Sequence, residues 1–419
     1  MVIYMSEHVS NSVVMPFDAA TLVRRTLGMA VDSPLRIAFL GGPGDVIGTF
    51  DHWVQGAHDP RTPVIAYSSM FYSVVAGLNA TAMVLTEQDK QPANNDPRFR
   101  FVYTPRRRDR RRIGYWIDQA SFSSSVLRHL RHFEPDVIII GMDAPIQLIR
   151  GLPKVRRIVL TVHNTFWPMG LRPSSLRQKV TLWSTASILR RVDVAINTSS
   201  ECAIQLAQLS GPSGDRSFTE IPQILQNFYP QALKPKLCVS QMLYLGRIEA
   251  EKGIFDLLAA FTRLAAANPK LHLSFAGTGS AEPELKDAIV ASRFFDRITF
   301  YGQLPAKNVH ALLDESDLLI CPTRSSFREG LALVVIEAAV HGVPSLVSSV
   351  VPARNLLTKG CVTFPVDDAD ALTAALSGMV EDQLKYSKLR DTVFAKRSQF
   401  LDRTGSWGTQ LYRALALSL

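Results

Sequence analysis

The sequence predicts an α/β protein built from two doubly wound parallel-sheet domains that face a central cleft. Three observations carry this. The chain has 419 residues, a length that suggests two domains. Short apolar runs alternate with helical patterns along most of it, which is the signature of βαβ units. One stretch spells such a unit out in full. Asp317-Leu-Leu-Ile-Cys-Pro322 is an apolar run ended by proline, and a polar loop with Glu329 and Gly330 follows. A helix is then predicted from about Leu333 to His341, stopped by Gly342 and Pro344, and Pro344-Ser-Leu-Val-Ser348 is the next strand. A strand, a glycine turn and a helix N-terminus make an anion site, because free backbone N–H groups and the helix dipole point at whatever sits above them.

Composition bounds the class. Hydrophobic residues at 47% with 20% charged residues fit a globular α/β protein and exclude a disordered one. No apolar run reaches the ~18 residues a membrane span needs. Met1-Val-Ile-Tyr-Met-Ser-Glu7 lacks a basic region and a cleavage site, so no secretory signal is expected. Cys202, Cys238, Cys321 and Cys361 are scattered, which fits reduced thiols in the cytoplasm rather than disulfides or a metal site. The net charge is +9, and residues 101–191 alone carry 17 Lys and Arg against 5 Asp and Glu. That part of the chain is expected to meet something anionic.

Taken in order, residues 1–34 form an extension in which Asp18 can cap a short helix through Val23 and Leu27. The first domain is expected over 35–230. Its first strand is Leu35–Leu40, followed by the glycine-rich turn Gly41-Gly-Pro-Gly-Asp45. Further strands are predicted at Ala82–Leu85, Arg100–Tyr103, Asp136–Ile140, Arg157–Val162 and Asp193–Asn197, with helices at Ser123–Phe133 and Leu176–Arg190 among the connections. His163 and Asn164 fall at a strand's carboxyl end, where doubly wound sheets bind ligands. Arg106, Arg107, Arg108, Arg110, Arg111 and Arg112 form a basic run beside Tyr115 and Trp116. Such a run suits anionic lipid headgroups or an acceptor, with the two aromatic residues at the membrane interface. No nucleic-acid motif accompanies it, so no nucleic-acid partner is expected.

Pro230 and the following residues mark a linker, and the second domain is expected over 236–400. Leu243-Tyr-Leu-Gly-Arg-Ile-Glu-Ala-Glu-Lys-Gly253 ends a strand at Leu245, projects Arg247 and opens a helix near Lys252. Two cations bracketing a helix start suit a diphosphate, Arg247 by planar paired donors and Lys252 as a mobile point charge. Glu337 inside an apolar helix needs partners, since an unpaired buried carboxylate is costly. Asp368-Ala-Asp370 directly precedes a helix and reads as a cap, not as a metal site. Residues 401–419 end in an amphipathic helix from Trp407.

These stretches together resemble the retaining glycosyltransferase family 4, group 1 glycosyltransferases with the GT-B fold. The signature is Glu329-x7-Glu337. Gly246-Arg247 with Lys252-Gly253, Leu271–Gly279 and Ile298–Pro305 are similar to further family motifs, in the family's order. The resemblance implies a first domain for the acceptor, a second for a nucleoside diphosphate sugar, and a last helix crossing back to the first domain. It places Gly42 and Gly44 in a loop facing donor and acceptor, and His163 against the transferred sugar. Gly277, Gly279, Gln303 and Leu304 would border the nucleotide, with Gln303 and Leu304 at the base. Glu337 would accept from the ribose hydroxyls, and Glu329 would lie by the sugar. Backbone from Gly330 and Leu331 to Leu333 and Val334 would meet the phosphates. The activity implied is transfer of a hexose, from UDP by preference, to an acceptor hydroxyl with retention and no cofactor or metal. Arg247, Lys252, Glu329 and His163 would carry it, on a cytoplasmic enzyme held at the inner face of the membrane and acting on a lipid-linked or oligosaccharide acceptor for surface polysaccharide. A GT-B UDP-sugar epimerase and a non-catalytic nucleotide-sugar-binding protein remain as alternatives.

Overall fold

Val, Ile and Leu fill the central strands without alternating with polar residues, so helices must cover both faces of each sheet. The computed structural model describes residues 12–419 apart from 63, 108–112, 170, 172, 210, 229 and 231–235. Its first sheet holds β1 (Arg36–Leu40), β2 (Thr81–Thr86), β3 (Phe99–Tyr103), β4 (Val137–Gly141), β5 (Arg157–Val162), β6 (Val194–Asn197) and β7 (Ser217–Thr219). They run parallel in the order β3-β2-β1-β4-β5-β6-β7. The second sheet holds β8 (Gln241–Leu245), β9 (His272–Ala276), β10 (Ile298–Phe300), β11 (Leu318–Cys321), β12 (Ser345–Ser348) and β13 (Cys361–Phe364). These are also parallel, in the order β10-β9-β8-β11-β12-β13. Strand order reverses between β1 and β4 and again between β8 and β11. Those switch points are where a doubly wound sheet opens a crevice for ligands.

Helices α1 (Ala19–Thr26), α2 (Val46–Val54) and α3 (Tyr67–Gly77) cover one face of the first sheet. The other face is covered by α4 (Ile113–Phe133), α5 (Ile146–Gly151), α6 (Leu176–Leu189) and α7 (Ser200–Gln208). Around the second sheet lie α8 (Ile254–Ala265), α9 (Glu282–Val290), α10 (Ala306–Glu315), α11 (Leu333–Val340), α12 (Arg354–Leu357), α13 (Ala369–Glu381) and α14 (Gln383–Lys396). Of these, α8, α9 and α13 pack on one face and α10, α11 and α12 on the other. Asp368 caps α13 by accepting from Ala371 N at 2.8 Å.

The chain passes between domains twice, and the two passages are tied together. Ile221 N donates to Gly405 O at 2.9 Å and Ile224 N to Phe400 O at 3.0 Å. The second passage leads into α15 (Trp407–Ala416), which packs on α1 and α3. Trp407, Leu411 and Leu415 are buried in the first domain's core. The segment before β1 is stapled there too, since the buried Arg24 guanidinium donates to the carbonyls of Ser33, Leu78 and Asn79. Asp18 stands at the start of α1, but its carboxylate makes no cap bond, because its backbone (φ −92, ψ 15) is turn-like rather than extended.

Candidate active site

Beyond β8, β9 and β10 the backbone stays paired past the strand ends. Gly246 N donates to Ala276 O, Ile248 N to Thr278 O and Gly277 N to Gly302 O, at 2.8–3.0 Å. This holds the three loops so close that a Cβ on Gly277 would lie 1.8 Å from Gly246 O, and one on Gly279 2.3 Å from Ile248 O. Only glycine fits at either place. The loops form the floor of a cavity of about 400 Å³. Of the residues expected at the donor, Arg247, Gly277, Gln303, Leu304, Val334 and Glu337 line it.

Lys252 and Glu329 come from different loops and form an ion pair, Nζ to Oε2 at 2.5 Å, with the carboxylate buried and the lysine side chain 13% exposed. The Thr323 hydroxyl donates to the same oxygen at 3.2 Å. Phe327 lies under both cations, its ring centre 5.0 Å from the Arg247 guanidinium and 4.2 Å from Lys252 Nζ. The ring restrains both charges without neutralising them. Above them α11 begins at Leu333, after Ala332 in the left-handed region (φ +69). Val335 N already donates to Ala332 O at 3.0 Å, and the N–H groups of Leu333 and Val334 before it have no carbonyl one turn back in the helix, so they are available to an anion. Four residues on, Glu337 is buried, and no donor among the described residues reaches its carboxylate. Burial pushes that carboxyl up to about 7.

The first domain meets this loop at its tip. A Cβ on Gly330 would lie 2.3 Å from His163 O and 2.9 Å from Asn164 Oδ1. His163, at the end of β5, is open to the cleft on one side, and its ring stacks on Tyr67 at 4.9 Å. The crowding on its other sides pushes its pKa down to about 4, so the ring is neutral at physiological pH. Beneath it the Tyr67 hydroxyl donates to Glu220, a buried carboxyl that burial raises to about 7 despite that bond. The structure thus sets the loop of Glu329 and Gly330, with Lys252 paired to it, against the backbone of His163 at the end of β5.

Other residues fall elsewhere. Gly42 and Gly44 do not line this cavity. The Asp45 carboxylate occupies the α2 N-terminus, accepts from Gly48 N at 2.9 Å, and is balanced by Arg61 and Lys90. Arg106 corrects the expectation of an outward-facing cation. Its side chain is 8% exposed, with Nη1 3.1 Å from Asp143 Oδ2 and Nε 2.9 Å from Gln119 Oε1, so polar groups at the strand ends hold it inward. Arg107 and Trp116 are exposed and Tyr115 is half-buried, whereas Arg108, Arg110, Arg111 and Arg112 lie outside the described residues. The sequence also gave no notice of Arg61. Asp59 grips its guanidinium at 2.6 and 2.8 Å, and it lines the same cavity from the first domain. The only sequence signal is the close Asp59–Arg61 spacing in a loop. Among the described residues no group of three or more His, Cys, Asp or Glu is placed to hold a metal ion, and no helix is long and apolar enough to cross a membrane.

Residues 228–395 match the model of a family described as Glycosyl transferases group 1. The chain is 29% identical over 202 residues to glycogen synthase of Mycobacterium tuberculosis, a match covering 46% of this chain and 47% of that protein. It is 31% identical over 165 residues to phosphatidyl-myo-inositol mannosyltransferase of Mycolicibacterium smegmatis, covering 39% and 40%. The chain therefore spans about half the length, or less, of these relatives. Sucrose-phosphate synthase from Thermosynechococcus elongatus superposes with a TM-score of 0.65 at 18% identity, over 91% of this chain and 99% of that one. The fold is the two-domain GT-B fold.

Proposed function

Residues 228–395 belong to the group 1 glycosyl transferases, and on that premise we propose that the protein moves a hexose from a nucleoside diphosphate sugar, UDP by preference, to an acceptor hydroxyl with retention and without a metal. The observation that carries this is the Lys252–Glu329 pair beside Arg247, abutting His163 of the other domain. As the diphosphate departs, charge grows on its oxygens. Arg247, Lys252 and the α11 N-terminus meet that charge in a site shielded from water. Glu329 holds Lys252 in place and lies by the sugar. Neutral His163 can hydrogen-bond a sugar hydroxyl without adding charge there. The acceptor hydroxyl approaches the same face that the diphosphate leaves, and the leaving phosphate oxygen takes its proton. Holding both reactants between domains supplies orientation. The test is slow hydrolysis of UDP- and GDP-sugars with EDTA present, read by NMR of the first-formed anomer. Release of the donor's own anomer supports the reading. Inversion, or activity that EDTA removes, refutes it.

The surface of the first domain supports a lipid-linked acceptor. On α6, Leu176, Val180 and Trp183 are 79%, 54% and 73% exposed at helical spacing, with exposed Lys179 beside them. α4 and α6 each follow a strand of the same parallel sheet, so the first turns of both, with exposed Trp116 and Ile117 on α4, lie at the same end of the domain. Apolar side chains flanked by cations suit the surface of an anionic membrane and a lipid-linked acceptor, at the inner face of the cell membrane. The protein is expected to sediment with phosphatidylcholine vesicles doped with phosphatidylglycerol and not with undoped ones. Trp183→Ser should weaken this several-fold while leaving donor hydrolysis unchanged. Equal binding to both vesicle types would refute the charge contribution, and binding to neither would refute docking.

A further inference from the structure

Along one wall of the donor cavity runs a chain of three polar side chains with no part in the chemistry above. His310, on α10, is buried against the ring of Phe228, whose centre is 4.1 Å away and nearly parallel. Its Nδ1 lies 2.7 Å from Nε2 of His341, the residue that follows α11. His341 Nδ1 in turn lies 2.7 Å from Asp314 Oδ1. Among the described residues, His310 Nε2 is buried without a hydrogen-bond partner. The residue nevertheless borders the cavity, beside Leu304, Val309, Val334 and Glu337.

The carboxylate at the far end sets the direction of every proton in this chain. An ionised carboxylate only accepts, so His341 Nδ1 carries the hydrogen. Burial lowers the pKa of His341 against the pull of Asp314, and Lys236 and Arg397 also disfavour its charged form. A neutral His341 has a bare Nε2, which must accept from His310 Nδ1–H. His310 is neutral as well, pushed down to about 4 by burial and by His341. Its Nε2 is therefore a lone pair. The relay offers the cavity wall an acceptor and withholds a donor.

A buried acceptor without a donor costs free energy that a ligand can recover by supplying the hydrogen. Leu304, Val309 and Val334 give this part of the cavity apolar walls suited to a flat ring. Taking the cavity as the nucleotide site proposed above, we propose that His310 Nε2 accepts the ring N–H of the nucleobase. The site then takes uracil or guanine nucleotides and rejects those of cytosine and adenine. The matching ring nitrogen of cytosine and adenine carries a lone pair, which would face the lone pair of His310. A site built around a ligand hydrogen discriminates strongly against an analogue that lacks it. Asp314 and His341 act through His310 as positioning residues.

The experiment is calorimetric titration of the full chain with UDP, GDP, CDP and ADP. It is repeated with whichever of UDP and GDP binds, now methylated on the ring nitrogen (N3 of uracil or N1 of guanine). Wild type should bind the unmethylated nucleotide at least about ten-fold tighter than its methylated form, and tighter than CDP and ADP. In His310→Phe, which keeps a ring against Phe228, the methylated and unmethylated forms should bind alike. Nitrogen NMR of histidine-labelled wild type needs no variant and should find His310 Nε2 unprotonated at neutral pH. A protonated Nε2, or methylated nucleotide bound as tightly as its parent by wild type, overturns the assignment of His310. In that case the nucleotide-sugar reading stands. Failure of all four nucleotides to bind overturns both.

Discussion

Replacing Lys252 with alanine is expected to lower turnover by about 10²–10³-fold, the usual loss when one preorganised charge is removed from a developing anion. The ammonium is buried beside Glu329, where a charge acts with little screening. Its loss also leaves Glu329 buried without its counter-charge, and breaking a buried pair costs about 3–5 kcal/mol of stability. The two effects separate in a double variant. Lys252→Met with Glu329→Gln removes both charges and should recover most of the thermal stability while remaining inactive. Turnover of a UDP- or GDP-sugar and melting temperature, measured on single and double variants, check this. Wild-type turnover in Lys252→Ala would remove the diphosphate role.

Glu337→Gln is expected to weaken nucleotide binding by roughly 30-fold at pH 8, about 2 kcal/mol for losing hydrogen bonds to a charged group. The effect depends on pH, and its sign follows from the carboxyl's rise from 4.5 to about 7. The folded protein holds this proton more tightly than the unfolded chain does. The stabilising contribution is full below about pH 4.5 and is lost as pH rises through 7. Ribose hydroxyls need the ionised form, so nucleotide affinity should climb over the range in which the unliganded protein loses stability. Glu220, raised to the same value, adds to the stability slope but not to the binding slope. Titrations from pH 6 to 8, with melting curves alongside, should show opposed trends in wild type and a flat affinity in Glu337→Gln. A wild-type affinity that does not change with pH would refute the role.

What could be read from the sequence was what is local. The strands were legible because unbroken Val, Ile and Leu runs leave few alternatives. β7 and β13 were not, being three and four residues at sheet edges. The turn after β8 and the start of α11 were legible because glycine, cation and helix start lie within a few residues. Partnerships over long separations were not: Lys252 with Glu329 spans 77 positions and Tyr67 with Glu220 spans 153. Arg106 is expected with its basic neighbours to face an anionic surface or an acceptor, but Asp143, 37 positions on, turns it inward. A charge run predicts exposure on average and says little about its first member. Glu337, a carboxylate in an apolar helix, needs partners, and no protein donor among the described residues supplies them.

The return of α15 to the first domain has a consequence for how the protein is made. The second domain, residues 236–400, is one contiguous segment and can fold as soon as it leaves the ribosome. The first domain cannot finish, since Trp407, Leu411 and Leu415 are buried in its core. Until residues 407–416 are synthesised, Tyr67 lacks the Trp407 ring that lies 5.4 Å from its own. The plate under His163 therefore waits for them too. Synthesis order thus favours a chain whose second domain is folded while its first is still incomplete, and the cleft between them is assembled last.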